Sequence, residues 1–91
     1  MTQDQLTPAE RIKDLVAKHL GIEPARLVPD ASLADDLGAD SLDKIELQFA
    51  IEDAFKIELD DDDVYAVDTF GKLVAVTEST LSASRPKAVA L

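Results

Sequence analysis

The chain contains no cysteine, so on its own it offers no disulfide, no thiolate for zinc and no nucleophilic thiol. Glycine and proline are scarce, at three and four residues, and the aromatics are one tyrosine and three phenylalanines, a composition that leans helical. No apolar run approaches the roughly 20 residues that a bilayer-spanning helix requires. The opening MTQDQLTPAE lacks the basic and apolar regions of a secretory signal. The expectation is a cytoplasmic chain that is not an integral membrane protein. What remains is 91 residues with 46% hydrophobic content: too apolar for a disordered chain, and enough for one domain around one modest core.

Basic residues are missing chiefly from the middle of the chain. Residues 30–63 hold thirteen acids against only Lys44 and Lys56, a net of −11, whereas the whole chain carries −10. The flanking thirds are therefore close to neutral. Such a surface repels phosphates, which argues against a nucleic-acid partner. Its natural complement is a basic protein surface, met by fast, salt-sensitive association. A solvated face that serves solubility alone is the plainer reading of the same charge.

Punctuation and periodicity predict an all-α fold: three long helices and one short, with a long loop between the first two. Thr7, Pro8 and Glu10 form a helix start with a capping box. Ile12, Leu15, Val16 and Leu20 follow at helical spacing, and Gly21 stops the helix. Residues 21–40 contain Pro24 and Pro29 and read as loop, anchored by Leu27, Val28, Leu33 and Leu37, with one helical turn at SLADD. A loop that long in a small domain tends to be functional. Asp60 to Asp63 open a short helix whose positive N-terminal dipole suits four acids, and Val64, Tyr65 and Val67 supply apolar contacts. The last helix covers about residues 69–81 through Phe70, Leu73, Val74, Thr77 and Leu81, although its β-branched LVAVT also suits a strand. The domain is taken as residues 1–81, and SASRPKAVAL, residues 82–91, as a flexible tail.

The segment SLDKIELQFAIEDAF, residues 41–55, carries two apolar stripes. At about 100° per residue, Leu47, Ala50, Ile51, Ala54 and Phe55 share one face, an ordinary core stripe. Leu42, Ile45 and Phe49 line up on roughly the opposite side, bordered by Asp43, Glu46 and Asp53. Either the helix is wedged between two others, or the second stripe is a docking face rimmed by acids. Ser41 stands where this helix begins, after Gly38, which permits a tight or left-handed turn. Asp40 or Ser41 can cap the helix. A phosphate on the Ser41 hydroxyl would meet free backbone N–H groups and the positive end of the dipole. A plain capping serine is the simpler alternative.

The run DLGADSLDKIEL, residues 36–47, resembles the signature of acyl carrier proteins, particularly the free-standing bacterial kind, and the likeness extends from Thr7 to about Leu81. The resemblance implies that Ser41 carries a covalent 4′-phosphopantetheine arm, whose terminal thiol holds acyl groups as thioesters for fatty-acid or lipid biosynthetic enzymes. It assigns Asp40, Asp43 and Glu46 to contacts with basic patches on partner enzymes, and Leu42, Ile45 and Phe49 to apolar contacts with them. It assigns Leu47, Ile51 and Phe55 to the wall of a cavity that shelters the acyl chain. The partners implied are a phosphopantetheinyl transferase and acyl-transfer or condensing enzymes, and the carrier is expected to be monomeric and non-catalytic. Phe49 stands where the family more often has methionine, Gln48 where an aliphatic residue is common, and Asp60 where a proline often precedes the third helix. These departures keep open a specialised polyketide, peptidyl or aminoacyl carrier with the same arm.

Rival chemistries fit less well. Hydrolysis by Ser41 needs a base, and the one histidine, His19, sits in the last turn of the first helix, where the dipole favours it as a surface residue. A calcium loop starting at Asp60 needs glycine sixth and glutamate twelfth, where the chain has Tyr65 and Gly71. The pattern names no metal ligands. A helical adaptor without a prosthetic group remains the alternative outside the carrier class.

Overall fold

The computed structural model describes residues 7–83. Its elements are α1 (Pro8–Leu20), a 3₁₀ turn at Pro24–Arg26, α2 (Ser41–Phe55), α3 (Asp61–Tyr65) and α4 (Phe70–Ser82). Three long helices and one short one are present, and the described residues form no strand. The stretch 84–91, most of the expected tail, lies outside the described residues.

Local chemistry sets each boundary. The Thr7 hydroxyl accepts the Glu10 N–H at 3.2 Å while the Glu10 carboxylate accepts the Thr7 N–H at 2.9 Å, so two orphan donors are satisfied reciprocally. Gly21 ends α1 in the left-handed region, with φ +68°. Asp60 caps α3 through one carboxylate oxygen that accepts the N–H groups of both Asp62 and Asp63. Thr69 caps α4. The β-branched stretch of that helix is held by burial: Phe70, Leu73 and Thr77 face the core, and the Thr77 hydroxyl donates to the Leu73 carbonyl at 3.0 Å. Packing of this kind overrides a weak strand propensity.

The core joins Ile12 and Val16 of α1 to Leu47 and Ile51 of α2 and Leu73 of α4, with Leu27, Leu33 and Leu37 contributed by the long loop. Val28 of that loop and Tyr65 of α3 are 52% and 85% exposed, so neither is the apolar anchor that the sequence pattern suggests. The loop is instead tied down through its backbone. Gly71, Phe70 and Leu33 donate to the carbonyls of Pro29, Ala31 and Asp68 at 3.0, 2.9 and 3.0 Å. SLADD forms the expected turn, closed by Asp36 N–H to the Ser32 carbonyl, and it carries the chain directly to the start of α2.

Candidate functional site

Three backbone devices place the start of α2. Gly38 takes φ +73°, a conformation that penalises any side chain with a Cβ. Asp40 is extended and is the N-cap: its Oδ1 accepts the Asp43 N–H at 2.9 Å, and Asp43 Oδ2 accepts the Asp40 N–H at 3.1 Å. Ser41 is therefore the first residue inside the helix and does no capping. It is exposed, and no hydrogen bond occupies its hydroxyl among the described residues. The simpler reading of Ser41, a capping serine, does not hold. As first-turn residues, Ser41 and Leu42 also present N–H groups with no intrahelical acceptor.

Behind Ser41, α2 shows both stripes. Leu47 and Ile51 are buried at 1% and 0%, whereas Leu42, Ile45 and Phe49 are 61%, 47% and 58% exposed. Among the described residues no helix packs over the second stripe, which removes the wedged-helix alternative. Asp40, Glu46 and Asp53 are exposed and Asp43 is half-exposed, so the apolar stripe is rimmed by acids as expected.

Between α2 and α3 runs a groove of about 470 Å³, lined by Ser41, Ile45 and Phe49 on one side and by Val64 and Tyr65 on the other. Its floor is held by polar ties that the sequence pattern does not reveal. Lys44 Nζ donates to the carbonyls of Tyr65 and Val67 at 2.9 and 2.6 Å, and so closes the C-terminal end of α3. Gln48, only 6% exposed, donates to Asp61 Oδ1 at 2.6 Å. Glu52, 7% exposed, accepts the Leu59 N–H at 2.8 Å. The four-residue spacing of Gln48 and Glu52 is the one sequence signal that could have paired them. Their partners on the α2–α3 connection and on α3 have no local signature.

The three residues assigned to an acyl cavity are placed differently from one another. Leu47 packs with Leu33, Val64, Val67 and Leu73 around a crevice too tight to admit a water molecule. Ile51 is wholly buried in the core. Phe55 is half-buried at the far end of α2, with the Arg11 guanidinium 4.2 Å from its ring centre.

His19 is exposed in the last turn of α1, as expected, and it also has acidic neighbours. Its Nε2 lies 3.6 Å from Asp43 Oδ1 and 3.2 Å from Glu46 Oε1, which joins the end of α1 to the first turns of α2. Among the described residues no hydrogen bond links it to Ser41, so the pair needed for a serine nucleophile is not assembled.

Among the described residues, then, an exposed serine with no hydrogen bond on its hydroxyl stands at a helix N-terminus, beside a groove and an exposed apolar stripe. Comparison with known proteins gives the family. Residues 10–77 match the family model described as "Phosphopantetheine attachment site". The chain is also 56% identical over 61 residues to an acyl carrier protein of Zymomonas mobilis subsp. mobilis, covering 67% of this chain and 78% of that one. The protein is thus a phosphopantetheine-bearing carrier. Within that class it belongs to the acyl carrier protein family, whose members are non-catalytic and work with acyl-transfer enzymes and a phosphopantetheinyl transferase.

Proposed function

We propose that Ser41 is the attachment residue and that the exposed stripe of α2 is the surface its partner enzymes read. The observation that carries this is the capping of α2 by Asp40, which leaves the Ser41 hydroxyl free at the positive end of a 15-residue helix. The site fits a phosphodiester: the hydroxyl is exposed, and it stands in the first turn of α2, the end of the helix dipole that favours added negative charge. When bound, the arm supplies a terminal thiol that holds acyl groups as thioesters, the one nucleophile this cysteine-free chain does not have.

The chain's own residues position the arm and present it. Gly38 and the Asp40–Asp43 box fix the backbone at Ser41. Lys44 and Gln48 hold α3 against α2, so the groove beside Ser41 keeps its shape. Leu42, Ile45 and Phe49 give a partner about as much apolar surface as one helix face can offer, while Asp40, Asp43 and Glu46 select partners with basic patches. Leu47 and Ile51, with Phe55 at the far end, are in this reading the wall of the interior that shelters an acyl chain. The carrier is monomeric and cytoplasmic in this reading, and its cargo belongs to fatty-acid or other lipid synthesis.

The direct test is to locate the modification. After incubation with coenzyme A and a phosphopantetheinyl transferase, trypsin releases residues 27–44, which contain two hydroxyls, Ser32 and Ser41. Fragment sequencing should place the added group on Ser41. Ser32 is the internal control, because its oxygen already accepts the Asp35 N–H at 3.0 Å. A group found on Ser32, or on another peptide, would overturn the assignment.

A further inference from the structure

We propose that His19, Asp43 and Glu46 form a binding site for a divalent transition metal of the zinc type. The three side chains come from two helices: His19 from the end of α1, and Asp43 and Glu46 from adjacent turns of α2. One ligand atom from each lies within 4.8 Å of the other two. The two distances from His19 Nε2, 3.6 Å to Asp43 Oδ1 and 3.2 Å to Glu46 Oε1, can be compared with a coordination polyhedron. Zinc bonds of about 2.0–2.2 Å in a tetrahedron separate neighbouring ligand atoms by roughly 3.4 Å. The His19 edges bracket that value.

The site is also oriented from behind. Asp43 Oδ2 accepts the Asp40 N–H at 3.1 Å, which fixes the carboxylate plane and leaves Oδ1 towards His19. A backbone partner on the outer oxygen is what holds a ligating carboxylate in place. An ordinary imidazole–carboxylate pair explains the cluster less well. Nε2 carries at most one proton and faces two carboxylates, at 3.6 and 3.2 Å, and among the described residues neither contact has the geometry of a hydrogen bond. Imidazole nitrogen selects zinc, nickel or copper over magnesium and calcium, which prefer all-oxygen sets. With one histidine and two carboxylates engaged, a fourth position stays open to water. The acid-rich surface of residues 30–63 adds a favourable field for any cation. A metal held there withdraws two negative charges from the surface beside Ser41.

The chain has a single histidine and no cysteine, so the experiment has one unambiguous reporter. Zinc ion alone is titrated into the full chain, with the His19 ring resonances followed by NMR and the heat of binding measured in parallel. One equivalent of Zn²⁺ should shift or broaden the His19 ring signals. His19→Gln and Glu46→Gln, both surface changes, should each weaken zinc binding on the order of tenfold or more. Magnesium at the same concentration should leave the ring unperturbed. Ring signals unmoved at saturating zinc would overturn the site, as would wild-type affinity in His19→Gln. An equal response to magnesium would overturn the transition-metal assignment. None of these readouts involves the arm or a partner enzyme, so failure here leaves the role of Ser41 untouched.

Discussion

Phe49 and Ile51 stand two positions apart on α2, and exchanging each for alanine separates docking from folding. Ile51 is 0% exposed, and its removal leaves a cavity among Val16, Leu47 and Leu73. Ile51→Ala should cost about 3 kcal/mol, within the usual range for buried aliphatic truncations. In a domain of this size that lowers the melting temperature by roughly 12–24 °C. Phe49 is 58% exposed, so about 40% of a side chain worth roughly 150–250 Å² is covered. At about 25 cal/mol per Å² the covered part contributes roughly 1.5–2.5 kcal/mol. The better helix propensity of alanine returns about 0.5 kcal/mol, and an open surface adds no cavity term, so the net loss is about 1–2 kcal/mol. A central aromatic contact in a partner interface is commonly worth about 2 kcal/mol or more, which is roughly 30-fold in affinity. Phe49→Ala should therefore lower the melting temperature by roughly 4–16 °C, less than Ile51→Ala does. Its kcat/KM as a substrate of the phosphopantetheinyl transferase or of an acyl-transfer enzyme should nevertheless fall by about 10- to 30-fold. The assays are thermal unfolding by circular dichroism and steady-state transfer with the variant carrier as varied substrate. A larger melting shift for Phe49→Ala than for Ile51→Ala, together with normal transfer, would show that the second stripe is structural.

Other outcomes follow from the same structure. Gly71→Ala would place a Cβ 2.9 Å from the Pro29 carbonyl oxygen, which itself accepts the Gly71 N–H; denaturant unfolding should show a loss of about 1–3 kcal/mol. Lys44→Met removes both donors to the Tyr65 and Val67 carbonyls, and hydrogen exchange should report faster opening around α3 with α1 unchanged. Asp40→Ala removes the cap of α2 and should cost about 1 kcal/mol in the same unfolding assay. Raising ionic strength from about 0.01 to 0.15 M shortens the screening length from about 30 to 8 Å, so transfer by partner enzymes should slow, and Glu46→Lys should reduce that salt dependence.

Much of this architecture is legible from punctuation and period. Thr7, Pro8, Glu10 and Gly21 mark α1 without reference to the rest of the chain, because a capping box and a left-handed stop are local devices. The two stripes of α2 are equally local, and the structure adds only the decision between burial and exposure. That decision depends on where the long loop travels: its backbone is tied to the start of α4, away from Leu42, Ile45 and Phe49. What stayed hidden depends on contacts between elements. Gln48 and Glu52 are polar residues in a helix that reads as half-solvated, yet both are buried, because Asp61 and the Leu59 N–H satisfy them. His19 belongs to α1 by sequence and to the face of α2 by position. Val28 and Tyr65 look like anchors and are exposed, since backbone bonds and neighbouring residues already fix their segments. In the sequence, Asp40 and Ser41 serve equally well as the cap of α2; the choice of Asp40 depends on its reciprocal bonds with Asp43, and the role proposed for Ser41 rests on it.

Intact mass of the full chain after incubation with coenzyme A and a phosphopantetheinyl transferase tests that point most directly. The wild-type protein should gain the mass of one phosphopantetheinyl group, and Ser41→Ala, which leaves the Asp40–Asp43 cap in place, should gain none. No gain in the wild type, or an equal gain in Ser41→Ala, would contradict the account.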